Sequence, residues 1–183
     1  MASLAYPCGL AAVRVVLATE RQKAAAAIRR WEPLVRDFTN ACVNDVIESG
    51  RLDFVDDIAN IVPAVLTMAI LGLPLADWVI YCEPTHAMVY TPPDSPDLLR
   101  VQQASMAMVM RLGECVAEAR LNPRPGIIMA LIEAEVDRQP LSDEGIIGTT
   151  FLVIDGGFDT TTSLTSWQAR LDQGAAADAA AES

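Results

Sequence analysis

The run Leu152–Trp167, LVIDGGFDTTTSLTSW, sets the hardest condition on any fold this chain can adopt. An apolar stretch meets two glycines, then an acid, then three consecutive threonines. A helix that only had to pack would not place Gly156, Gly157, Asp159 and Thr160 along its course. Each glycine in a helix interior costs about 1 kcal/mol relative to alanine. Their presence asks for a close backbone approach or a local break in the hydrogen-bond ladder.

The remaining composition points to helices. Hydrophobic residues make up 52% and charged residues 20%, which suits a folded chain. Aromatic residues reach only 5%, so alanine, leucine and valine carry the apolar content and favour helices over a sandwich. A length of 183 residues suffices for one domain with a core. The net charge of −11 argues against a nucleic acid or an anionic membrane as partner. Cys8, Cys42, Cys82 and Cys115 form no C-x-x-C pair, and His86 is the single histidine, so no metal site is expected. Such cysteines read as small buried hydrophobes in a reducing compartment. The longest apolar run, Ile61–Ala76, is interrupted by Pro63, Thr67, Gly72 and Pro74. It falls short of the about 20 residues a membrane-spanning helix needs. No basic segment precedes Leu4–Val13 and Arg14 follows early, so no export signal and a cytoplasmic location are expected.

Along the chain, Ala11–Ile28 permits a helix without a clear apolar face. From Trp31 the pattern sharpens: Pro33 suits a first helical turn, Leu34, Phe38, Cys42 and Val46 recur at helical spacing, and Ser49-Gly50 stops it. A second helix runs from Leu52 to Leu73, with Asp53, Asp56 and Asp57 at its start, a kink or restart at Pro63, and Gly72 and Pro74 at its end. Asp77–Tyr90 reads as a helix containing Pro84 and His86, the latter taken as a packed or surface residue. Thr91–Pro96 is a loop. The helix Asp97–Leu121 carries the seam Leu98, Val101, Met108, Leu112, Cys115 and Ala119, with Met106, Met108 and Met110 read as core filling. A short helix follows from Ile127 to Glu135, then a turn at Asp137–Pro140. Ser142 is placed to cap the last helix, with Asp143 and Glu144 in its first turn. After Trp167, QARLDQGAAADAAAES has no large apolar residue besides Leu171 and reads as a tail.

Gly156-Gly157-Phe158-Asp159-Thr160-Thr161 resembles the Ala/Gly-Gly-x-Asp/Glu-Thr-Thr/Ser motif on the long central helix of the cytochrome P-450 monooxygenases, which passes over the heme. Pro140-Leu-Ser-Asp-Glu144 with Ile146-Ile147-Gly148 is similar to the family's approach to that helix, and Leu131–Asp137 to the segment before it. Leu71-Gly-Leu-Pro74 with Asp77 resembles the family's LLG-x-P-x-x-D stretch. The likeness spans about Trp31–Trp167 and is nearest to soluble bacterial members. It implies a heme b cofactor, a small hydrophobic organic substrate, a redox partner, and insertion of one oxygen atom from O2. On that resemblance Gly156 and Gly157 would make room against the heme, Thr160 would hydrogen-bond the oxygen side, and Asp159 would help deliver protons.

Other family features are missing from the sequence. No Phe-x-x-Gly-x-x-x-Cys-x-Gly loop follows the motif, and all four cysteines precede it. Glu135-Val-Asp-Arg138 has the letters of the family's Glu-x-x-Arg pair but lies on the wrong side of the motif, in a turn. No His-x-x-x-Arg occurs in residues 1–30; Asp155 and Gly145 also depart from the family pattern. The expected structure is therefore all-α: a helical fragment of the cytochrome P-450 fold lacking its C-terminal heme-thiolate half. Residues 1–30 are unassigned, 31–167 are P-450-like, and 168–183 form a disordered alanine-rich tail. The chain is expected to be inactive alone, with no axial cysteine for heme iron. The alternative is a non-catalytic helical module that binds a protein partner or a hydrophobic ligand through the face the missing half would cover.

Overall fold

The computed structural model describes residues 28–181, with the side chains of 175–181 left aside. Cys8, the helix-permissive stretch from Ala11 and most of the unassigned N-terminal segment lie outside the described residues. The rest is an all-α bundle: α1 (Glu32–Ile47), a π-helical turn (Val55–Ala59), α2 (Ile61–Leu71), a 3-10 turn (Leu75–Asp77), α3 (Trp78–Tyr90), α4 (Leu98–Leu121), α5 (Ile127–Glu133) and α6 (Asp143–Ala181). A two-residue antiparallel pair, β1 (Glu135–Val136) with β2 (Gln139–Pro140), bridges α5 and α6.

The punctuation expected from proline and glycine is where the helices break. Gly50, at φ +65°, follows α1, and Gly72, at φ +82°, closes α2 with Leu73 N–H donating to the Met68 carbonyl. Asp53 and Asp57 cap the helix start: Asp53 Oδ1 accepts from the Val55 and Asp56 amides, and Asp57 Oδ2 accepts from the Asp53 amide. Pro63 sits in the first turn of α2, after the restart through the π turn. The turn expected at Asp137–Pro140 is a tight hairpin, with Asp137 and Arg138 both at positive φ (54° and 64°), as a two-residue turn joining twisted strands requires. Ser142 Oγ accepts from the Gly145 amide at 3.2 Å and so caps α6.

α6 is the axis of the bundle, contacting α2, α3, α4, α5 and the π turn. Its buried stripe repeats every four residues: Ile146, Thr150, Ile154, Phe158 and Thr162. The stripe meets Ala64, Met68 and Leu71 of α2, Tyr81 and Cys82 of α3, and Met108, Leu112 and Val116 of α4 in one core. One expectation needs correction. Of the three methionines on α4 only Met108 is buried; Met106 and Met110 point outward, because positions two apart on a helix do not share a face. α6 spans Asp143–Ala181, so the helix extends past Trp167 through a stretch rich in alanine, the strongest helix former.

Candidate functional site

The middle of α6 divides its motif residues among three directions. Gly156 and Thr160, one turn apart, lie on a solvent-exposed stripe with Leu152, Leu164, Trp167 and Leu171. A Cβ built on Gly156 would meet nothing within 4 Å. Leu164 (68% exposed) and Trp167 (61%) make this strip apolar as well as open. Thr160 donates its hydroxyl hydrogen to the Gly156 carbonyl at 2.5 Å, which leaves the lone pairs of Oγ1 as its outward-facing chemistry.

Gly157 points elsewhere. A Cβ there would lie 2.4 Å from Thr67 Oγ1 and 2.9 Å from its Cγ2, so this glycine exists to let α6 cross α2. The two glycines expected side by side against a cofactor therefore have different jobs. The helix does not widen at them either: α6 runs through both as continuous α-helix. Close approach, not a broken ladder, accounts for Gly157.

Thr162, two residues past Thr160, is buried and reaches across to the Ala59 carbonyl at 2.8 Å. Pro63 lacks the amide that would serve this carbonyl from four residues on, and Thr162 supplies the missing donor. One of the three threonines is thus explained by a proline about 100 residues earlier in the chain.

Asp159 turns into the seam between α6 and α3. Its Oδ1 accepts from Tyr90 Oη at 3.3 Å and stands 3.7 Å from His86 Nε2. Neither α3 residue was singled out from the sequence as a functional group. The signal that could have found them is their spacing: Cys82, His86 and Tyr90 form a row one helical turn apart. Cys82 Sγ lies 4.0 Å from His86 Nε2. Cysteine, histidine and carboxylate so close invite a nucleophilic reading, but the geometry refuses it. Both neighbours approach the same ring nitrogen, so the imidazole cannot take a proton at one nitrogen while a carboxylate orients the other. Burial, followed by the nearby Asp159 and Glu83 charges, also pushes the Cys82 thiol up to about 11, away from the reactive thiolate. Among the described residues no group of histidine, cysteine and acid side chains is placed to hold a metal ion.

The open strip suits one face of a flat macrocycle, since Gly156 leaves the surface without a side chain. An axial thiolate is another matter. Cys42, Cys82 and Cys115 are buried within the bundle, on α1, α3 and α4, and none lies on α6.

No family model matches the chain. Curated proteins and solved structures do. A putative cytochrome P450 123 of Mycobacterium tuberculosis is 30% identical over 146 residues, covering 75% of this chain and 34% of that protein. Cytochrome P450(MEG) of Priestia megaterium is 25% identical over 142 residues, again 75% of this chain and 34% of the relative. A mutant of P450 EryK in complex with erythromycin B superposes with a TM-score of 0.70 at 26% identity, over 93% of this chain and 46% of that one. The chain is a cytochrome P450 homologue. Mycobacterium marinum CYP268A2, in complex with pseudoionone, shares the fold at a TM-score of 0.71 and 24% identity, over 89% of this chain and 40% of its own. The chain spans about a third of the length of the curated P450s it matches (34%). No helix among the described residues is long and apolar enough to cross a membrane.

Proposed function

We propose that this chain carries the oxygen-facing helix of a heme-dependent monooxygenase site. The observation that carries the reading is the open strip at Gly156 and Thr160 on a helix whose opposite stripe is fully packed. Heme, when bound, would supply oxygen binding and electron transfer. Gly156 would admit the macrocycle and small ligands by presenting no side chain. Thr160 would accept a hydrogen bond at Oγ1, because its own hydrogen is held by the Gly156 carbonyl. Asp159 would serve proton delivery from one residue away, in the seam between α6 and α3. Gly157 lies against Thr67, which supports a role in placing α6.

The substrate class proposed is a small hydrophobic organic molecule; the two P450s of known structure are in complex with erythromycin B and pseudoionone. A redox partner and a cytoplasmic location belong to the same reading. As a separate polypeptide the chain is proposed to be inactive, since none of the described cysteines can reach the open strip as an axial ligand.

Hemin titration of the purified chain tests both parts. Binding followed at the Soret band is expected to weaken at least tenfold in Gly156→Leu, whose side chain would occupy the strip. After reduction under carbon monoxide, no red-shifted band of thiolate-bound heme is expected. Equal binding by wild type and Gly156→Leu would remove the strip from the site, and a red-shifted band would overturn the inactivity.

A further inference from the structure

α4 carries two apolar stripes, and the bundle uses one of them. Val101, Met108, Leu112 and Cys115 face the core. Leu99, Met106, Met110 and Ala117 fall within about 40° of one another on the opposite side, at 3.6 residues per turn. Leu99 is 65% exposed, Met106 63% and Met110 66%. With Gln103, which is also exposed, they keep the four- and three-residue spacing of a seam between two helices. A contiguous apolar face of this kind marks an interaction surface.

Charge decides what can cover it. The chain has a net charge of −11, so two copies repel wherever their acidic surfaces meet. From Val101 to Met110, however, α4 has no charged residue. Arg100 and Glu114 flank this neutral stretch on one side of the seam, seven residues before and seven after Ala107. Both are exposed, and their partners within the chain, Asp97 at 3.7 Å and Arg111 at 3.1 Å, hold them only weakly.

We propose that the outer face of α4 binds a second copy of this chain, the two α4 helices running antiparallel about a twofold axis near Ala107. That pairing sets Met106 against Met110 of the second copy and brings Arg100 of each copy to Glu114 of the other. A parallel pair would instead put Arg100 level with Arg100 and Glu114 level with Glu114. The methionines supply adaptable contact area, and the flanking charges set the orientation. One helix on one helix is at the small end of specific interfaces, about 1,200 Å² in total or less, so the dimer is weak and dissociates at micromolar concentration. This face points away from the core and from α6, so the proposal is independent of the heme reading of the Gly156–Thr160 strip.

Sedimentation velocity of the full chain from about 1 to about 300 µM reads the concentration at which half the chains are paired. Met110→Glu puts a charge into the seam and is expected to raise that midpoint at least about tenfold. Arg100→Glu and Glu114→Arg, each alone, set like charges face to face and are each expected to raise it at least about threefold. The double variant Arg100→Glu/Glu114→Arg has the net charge of the wild type and opposite charges facing again. Its midpoint is expected to return to within about a factor of two of the wild type. All three positions are exposed, so the variants keep the core, and circular dichroism verifies their fold. A monomer throughout the range, a midpoint unmoved by Met110→Glu, or a double variant no better than the single ones overturns the proposal. So does a dimer lost in Leu164→Glu, which would place the contact on the α6 strip. The measurement contains no hemin, so its failure leaves the hemin experiment on Gly156 untouched, and failure of that experiment leaves the dimer standing.

Discussion

At the scale of single residues, the two adjacent glycines of α6 are the clearest separation of packing from function. They look equivalent in the sequence but face an open strip and a packed helix, respectively. A methyl group on Gly157 must displace Thr67 and with it part of α2, so Gly157→Ala is expected to cost about 1–3 kcal/mol, the range of overpacked core sites. Gly156→Ala meets nothing and replaces a helical glycine, so it is expected to add up to about 1 kcal/mol of stability. Urea melts of the two variants check this directly, and two shifts of the same sign would contradict it. Thr67→Ala, which removes the obstructing hydroxyl and methyl, is expected to recover part of the loss in Gly157→Ala and none in wild type.

At the scale of elements, the bundle depends on groups that repair one another's defects across long stretches of chain. Pro63 restarts α2 but strips the Ala59 carbonyl of its donor, and Thr162 of α6 replaces it. Thr162→Val keeps the shape and removes the donor, so it is expected to destabilise by about 1–3 kcal/mol, the penalty of an unpaired buried carbonyl. Pro63→Ala restores a local amide to that carbonyl. The cost of Thr162→Val is expected to shrink in the Pro63→Ala background, a coupling that a double-mutant cycle in urea reads out; additive losses would contradict it. The same pair shows what the sequence could reveal. Helices α1 to α6 were legible because their signals are local: spacing of apolar residues, Pro33 at a start, Gly50 and Gly72 at ends, Ser142 as a cap. The Thr162–Ala59 bond was not legible, because the hydroxyl and carbonyl meet only after α6 crosses α2. Nor was the pairing of Asp159 with α3, which depends on the rotation of two packed helices about their axes. The motif named the residues of the candidate site; packing alone decided that Gly157 faces α2, Asp159 faces α3, and only Gly156 and Thr160 remain on the open strip.

At the scale of the whole molecule, the core buries several weakly acidic groups whose proton affinities are all shifted in one direction. Burial raises the thiols of Cys42 on α1 and Cys115 on α4, and raises the Tyr81 phenol, which contacts Cys115 Sγ at 3.7 Å. Cys82 on α3 goes from an ordinary value of 9.0 to about 11, chiefly by burial. Each group is neutral in its protonated form, so a raised folded value means that the native state keeps its proton at pH values where the unfolded chain has released it. The unfolded state then binds fewer protons, and the stability of the fold must fall as pH rises. For Cys82 the contribution is fully present below pH 9.0, the unfolded value, and is lost progressively as pH climbs to about 11. The thermal midpoint is therefore expected to show no pH dependence from these groups below pH 8 and to fall steeply between pH 9 and 11, under reducing conditions that keep the thiols free. Cys82→Ala removes one ionisable group from the seam beneath His86. It should flatten that fall relative to wild type, even if it lowers the midpoint at neutral pH by leaving a small cavity. A midpoint that holds constant or rises from pH 9 to 11 would show that α3 does not keep Cys82 sealed, and the thiol would then titrate as an exposed one. Iodoacetamide trapping over the same pH range separates the two cases: a sealed Cys82 is alkylated only as the bundle opens, whereas an exposed one reacts in step with its own ionisation.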